Sequence, residues 1–128
     1  MTRPEARENM MKILYEFDLM GDLAKKKLDD YMTELDPKEQ LDYCNKVFNY
    51  FLNNKTMIDQ LINQYSKNWE VNRISKIDLA ILRLSIIEIK NIDDVPKGAS
   101  INEAVKLAKK YSSIESSKFI NAILANID

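Results

Sequence analysis

Between Ile77 and Lys90 the chain is apolar on nearly every side. Ile77, Leu79, Ala80, Ile81, Leu82, Leu84, Ile86, Ile87 and Ile89 leave no polar stripe wide enough to face water. A helix of that composition is stable only when neighbours cover most of its surface. The segment therefore predicts a central helix at about 76–90, with the remaining elements wrapped round it. Ser75-Lys76-Ile77-Asp78 fits a capping box at its start, the serine accepting from the backbone and the acid reaching back. Arg83 is the one interruption that physics cannot ignore, because a buried guanidinium must be paired. Glu88, five residues on, lies about 140° round the helix, which leaves Arg83 a structural ion pair with another helix, the favoured reading, or a ligand contact.

The wrapping elements are also helical. With two Gly, three Pro, three Thr and four Val among 128 residues, the composition favours helices over strands. Ala6, Met10, Ile13, Leu14 and Phe17 recur at helical intervals, with Pro4 near the start and Gly21 just past the end. A weaker segment from Asp22 to about Leu35 carries Leu23, Leu28, Tyr31 and Met32. Asp36-Pro37-Lys38-Glu39 reads as a helix opening, followed by Leu41, Cys44, Val47, Phe48, Phe51 and Leu52 on one face. Asn53-Asn54 interrupts, and Met57, Ile58, Leu61, Ile62 and Tyr65 define a further helix. A second capping box, Ser100 to Glu103, opens a helix with Ile101, Ala104, Val105, Ala108 and Tyr111 inward. After a serine-rich break at 112–117, Phe119, Ile120, Ile123, Leu124 and Ile127 form a last apolar face. The expectation is an all-α, six- or seven-helix bundle spanning 1–128 as a single domain, without internal repeats.

Composition narrows the chemistry sharply. The absence of histidine excludes a Ser-His-Asp triad, a Cys-His pair and an HExxH zinc site. A lone Cys44 excludes a disulfide framework and a CxxC metal or redox site. Gly21 and Gly98 alone cannot write a GxGxxG or Walker loop. The expectation is a non-enzymatic binding domain with no cofactor and no metal. The longest uncharged stretch, Phe119–Ile127, is far below the ~18–20 residues a bilayer span needs. The amino terminus carries Arg3, Glu5, Arg7 and Glu8 with no apolar core of a signal peptide, so no membrane contact and a cytoplasmic location are expected. Nineteen basic and twenty acidic residues nearly cancel, but unevenly. Residues 1–64 carry nine basic and twelve acidic side chains, residues 65–128 ten and eight.

Most other polar features have an ordinary structural reading. Cys44 falls on an apolar helix face and reads as a small buried hydrophobe. Asp29-Asp30 and Asp93-Asp94 diverge as adjacent pairs and read as solvated turns or caps. Lys25-Lys26-Lys27 spreads its charge round a wet helix face, and Trp69 packs over the bundle. Arg3 and Arg7 lie one turn apart at the start of the first helix, where the dipole disfavours cations unless a partner anion offsets it, though the interleaved Glu5 and Glu8 equally suit a simple exposed helix face.

The carboxyl-terminal half then carries a set of blocks in a distinctive order. They are Ile81-Leu82-Arg83-Leu84 with Glu88, then Pro96, then Ile101 to Tyr111, then Ser117-Lys118-Phe119-Ile120-Asn121. With Ala6-Arg7-Glu8 and Leu14-Tyr15 at the other end, the whole chain resembles the NusB family of bacterial transcription antitermination factors. The resemblance implies a compact all-α fold round one central helix and a role in the transcription elongation complex. There the family pairs with NusE, a small-subunit ribosomal protein, and the pair binds the single-stranded boxA element of ribosomal RNA transcripts. The family's RNA contacts come from the first helix and the start of the last, which here are Arg3, Arg7 and Lys12, then Glu115, Ser116, Lys118 and Phe119. Tyr15 and Asp78 match positions used towards NusE. Phe119 suits both base stacking and core packing.

Four positions depart from the family pattern. Pro4 and Glu5 stand where further basic residues are usual, Lys12 where a Gln is usual, and Ala122 where a Gly is usual. Each missing phosphate contact removes a counterion-release contribution, so tight boxA binding is expected to need the partner subunit. The alternative is a protein-interaction module of the same fold whose RNA binding is weak or absent. Similar folds also precede the catalytic domain of some RNA cytosine methyltransferases, but this chain has no cofactor-binding segment. The resemblance leaves monomer and homodimer both open, since dimers in the family occlude the RNA surface.

Overall fold

Thr2 opens the first helix, its hydroxyl accepting from the Glu5 amide while the Glu5 carboxylate reaches back, with Pro4 in the first turn. The computed structural model describes residues 1–21, 23–34, 38–67 and 70–128, the side chains of 23 and 24 excepted. The helix it starts, α1 (Arg3–Met20), ends at Gly21, whose φ of 58° is a left-handed value that a side chain would strain. Five more helices follow: α2 (Leu23–Glu34), α3 (Leu41–Tyr65), α4 (Lys76–Asn91), α5 (Lys97–Tyr111) and α6 (Ile114–Leu124). Single 3-10 turns at Lys38–Gln40 and Val71–Arg73 precede α3 and α4. No strand occurs among the described residues. The expected opening at Asp36-Pro37 and the packing of Trp69 lie outside the described residues.

The all-round apolar segment is the axis of the bundle. From Asp78 to Glu88 every residue of α4 is buried, and the helix packs against α1, α3, α5 and α6. Fully burying one Leu or Ile side chain stabilises by roughly 1.5–3 kcal/mol, so this one helix anchors much of the core. Phe17 adds edge-on ring contacts to Phe48 and Phe51, tying α1 to α3 at 6.4 and 5.0 Å between centroids.

Three local expectations need correction. Asn53-Asn54 does not separate two helices: only Asn54 leaves helical geometry (φ −132°, ψ 17°), and α3 kinks and continues. The Asn54 side chain donates to the Tyr50 carbonyl at 3.0 Å, competing with the helical ladder at the kink. Ser100 does not cap α5, which starts three residues earlier behind Pro96 (φ −61°), and its amide already bonds the Pro96 carbonyl at 3.0 Å. The Ser100 hydroxyl is instead buried against Ser85 Oγ (2.9 Å) and Glu88 Oε1 (3.0 Å). The box before α4 is half-formed: Ser75 Oγ accepts from the Asp78 amide at 3.2 Å, but the Asp78 carboxylate turns to α6.

Candidate functional site

The polar side chains buried along α4 sort into two groups with different meanings. In the middle, Arg83 forks onto both oxygens of Asp59 at 2.9 and 3.0 Å and reaches Asp18 at 2.5 Å, so three helices meet on one guanidinium. Towards the end, Glu88 receives Arg7 Nε at 2.7 Å, Ser100 Oγ at 3.0 Å and the Tyr43 hydroxyl. Burial works against the Arg7 charge, and Glu88 more than offsets it, so the pKa ends above the ordinary guanidinium value. Burial and the neighbouring Glu88 carboxylate push the Tyr43 phenol up as well. Both groups are internal and paired, as buried charges must be.

At the start of α4 the geometry differs. Arg73, Ile74, Ser75 and Asp78 on one side, and Glu115, Ser116 and Phe119 on the other, line an open cleft of about 330 Å³. Helix capping explains why these side chains face each other. Ser113 caps α6 by accepting from the Ser116 amide at 3.0 Å, which aims the Ser116 hydroxyl at Asp78 Oδ2, 2.8 Å away. The Asp78 residue is 93% buried, and its Oδ1 is enclosed with no hydrogen-bond partner among the described residues. Phe119 is half-buried, resting on the core with part of its ring lining the cleft. Arg73 is exposed, and the first turns of α4 and α6, with their free backbone N–H groups, both border the space.

The sequence-derived candidates divide accordingly. Glu115, Ser116 and Phe119 meet Asp78 in the cleft, and Lys118 is exposed on the same turn of α6. Arg7 does not face solvent: only 6% exposed, its guanidinium is committed to Glu88 and, at 3.8 Å, to Glu103. Its reading as a surface contact is corrected to a structural pair, because Glu88 supplies the anion that its place in α1 calls for. Arg3 is held at the far end of the bundle by Gln40 Oε1 (2.5 Å), Asp94 (3.3 Å) and the Tyr43 ring (4.4 Å). Asp94 lies beyond the carboxyl end of α4 and Asp78 in its first turn, roughly 20 Å apart at 1.5 Å per residue. Tyr15 is half-buried on α1 outside the cleft lining. Lys12 is exposed beside Tyr111, 5.6 Å from the ring centre. Sequence reasoning missed Arg73, which sits in a 3-10 turn where no apolar period marks it.

Among the described residues no group of three or more acidic or Cys side chains is placed to hold a metal ion, and no helix is long and apolar enough to cross a membrane. The thiol of Cys44 is fully enclosed, and burial pushes it up to about 11.

Comparison with known proteins gives a consistent answer. The NusB family model matches residues 4–128. A transcription antitermination protein NusB from Listeria monocytogenes serotype 4a (strain HCC23) is 43% identical over 127 residues, covering 99% of this chain and 96% of that one. Among solved structures, NusB of T. maritima superposes with a TM-score of 0.91 at 30% identity, covering 99% of this chain and 90% of the other. A second structure, of antitermination factors NusB and NusE in complex with dsRNA, has a TM-score of 0.85 at 24% identity, covering 98% and 94%; it speaks to the fold. From a match along nearly its whole length, the chain belongs to the NusB family.

Proposed function

We propose that the chain is an RNA-binding transcription antitermination factor. In this reading it pairs with NusE within the elongation complex, and the pair binds single-stranded boxA RNA. The observation that carries this is the cleft between α4 and α6, where Phe119, Ser116 and Glu115 meet Asp78 and Arg73. A half-exposed ring there offers a face to an unpaired base. Arg73, Lys118 and the amide groups of the first α6 turn suit a phosphate backbone. Asp78 borders the same space and, with Tyr15, would serve the partner protein, so RNA and NusE would share one edge of the bundle. A protein of the same fold was crystallised with NusE and dsRNA. The role needs no catalytic group.

The burial of Arg7 and the tethering of Arg3 favour one specific second reading, a NusE-binding module that does not bind RNA. Fluorescence titration of boxA and scrambled RNA against the chain, alone and with NusE, across a salt series separates the two. Phe119→Ala and Lys118→Ala weaken boxA binding and leave NusE binding intact if RNA is read at α6. NusE binding with no preference for boxA over scrambled RNA establishes the second reading, unchanged boxA affinity in both variants refutes reading at α6, and submicromolar binding by the chain alone at physiological salt refutes the need for the partner.

A further inference from the structure

We propose that Lys12, Lys110 and Tyr111 form a seat for an RNA backbone phosphate, filled in the free protein by the carboxylate of Glu8. The two lysines flank one ring, their Nζ atoms 5.6 and 5.2 Å from the Tyr111 centroid. Both are largely in water, with side chains 54% and 61% exposed. Between them lies a single Glu8 oxygen, 2.9 Å from Lys110 Nζ and 4.0 Å from Lys12 Nζ, which also accepts from the Tyr111 hydroxyl. Two donors of α5, with Lys12 of α1 at ion-pair distance, thus converge on one anionic oxygen, an arrangement that a phosphate oxygen also fits. One carboxylate against two cations leaves the seat with a net positive charge even when filled.

Position points to RNA as the source of the phosphate. Tyr111 ends α5, and Ser112 beside it donates from Oγ to Ser116 Oγ at 2.9 Å, which in turn donates to Asp78 in the cleft. The seat and the cleft therefore adjoin at the turn between α5 and α6, Tyr111 in the one being followed directly by the serine that bonds Ser116 in the other. A strand with a base on Phe119 that continues towards the α5–α6 turn would bring a phosphate to the lysines. Lys106 and Lys109 add further exposed cations on α5. Exposed ion pairs such as Lys110–Glu8 hold weakly, within about fivefold in equilibrium constant. A polyanion at high local concentration displaces Glu8 readily. Lys12 stands where the family pattern has an uncharged residue, so this seat would restore on α1 part of the positive charge removed when Arg7 is buried. Glu8 then acts as an internal competitor that lowers affinity for weakly matched RNA.

The inference rests on the RNA reading above, and its test separates the two. The chain with its NusE partner is titrated with fluorescein-labelled boxA RNA between low and physiological salt. Glu8→Gln, which can still accept from Tyr111, is expected to tighten binding by up to about fivefold. Lys110→Gln is expected to weaken it and make the slope of log K against log salt shallower by about 0.7, one phosphate contact on a single strand. The decisive variant is the double substitution Glu8→Gln with Lys110→Gln. With the seat dismantled, removing Glu8 no longer tightens binding, whereas a general effect of net charge would persist and overturn the proposal. An unchanged salt slope in Lys110→Gln overturns it too, provided Phe119→Ala still loses RNA, which isolates the failure from that of the RNA reading. A change in NusE affinity without a change in RNA affinity assigns the seat to the protein partner and also overturns it. Thermal melts of all variants, with Lys46→Gln as a remote exposed control, confirm that folding is unaffected.

Discussion

Replacing Arg83 with Met removes the charge while keeping most of the stem's volume, and the structure sets the size of the effect. The Arg83 side chain is 2% exposed, whereas Asp18 and Asp59 keep 12% and 20% of theirs in contact with solvent. Breaking a buried ion pair from one side destabilises by roughly 3–5 kcal/mol, because the partner charges are left without compensation. Here the two carboxylates retain some water, which places the loss near the lower end, at about 3 kcal/mol. A domain of this length has about 5–15 kcal/mol to lose, and about 3 kcal/mol corresponds to a fall in Tm on the order of 10 °C. Urea unfolding followed by circular dichroism measures it, with an unchanged m-value showing that the native surface is intact. The triple variant Arg83→Met, Asp18→Asn, Asp59→Asn should recover a substantial part of the loss. A loss under about 1 kcal/mol, or a triple variant no more stable than the single one, would refute the claim that uncompensated charge causes most of the destabilisation.

Further outcomes follow from the same structure. The Cys44 thiol, ordinarily near 9.0, is pushed up to about 11, so below the lower value it is neutral whether folded or unfolded. From pH 9 upward the unfolded chain ionises first, and stability falls by about 1 kcal/mol between pH 9 and 10; Cys44→Ala should flatten that stretch of the stability profile. Ser100→Ala strips a donor from Glu88 in a buried network and should lower unfolding free energy by about 1–3 kcal/mol, read by urea titration. Phe119→Ala and Lys118→Ala should lower boxA affinity in the fluorescence titration without displacing NusE, and stacking loss at Phe119 is expected near 1–3 kcal/mol.

The sequence is legible where a pattern is local and one-sided. The all-round apolar run at 77–89 predicts a helix that neighbours must enclose, and α4 is that helix. An unpaired guanidinium at Arg83 demands an anion, but Asp18 and Asp59 lie 65 and 24 residues away and nothing local names them. The same limit explains Ser100. A Ser-x-x-Glu pattern signals a cap only if the chain is not already helical, and Pro96 had begun the helix one turn earlier. Arginine near an amino terminus reads as a surface charge, and Arg7 departs from that because Glu88, 81 residues on, receives it inside the bundle. The cleft is legible only in part. Glu115, Ser116 and Phe119 share one turn, whereas Asp78 and Arg73 join them through a contact 38 residues long in sequence, between Asp78 and Ser116.

The central helix has a bearing on how the protein is made. Arg7, Tyr43, Asp18 and Asp59 all emerge from the ribosome before α4, and each finds its partner on α4. Ser100, the remaining donor to Glu88, appears later still. At about 5–20 residues per second, several seconds of synthesis separate Arg7 from Glu88. During that interval α1 can already meet α2 and α3, as Phe17 does Phe48 and Phe51, but Arg7, Asp18 and Asp59 lack the partners that α4 brings. The buried polar groups of the amino-terminal half are therefore matched only once α4 and α5 have cleared the exit tunnel.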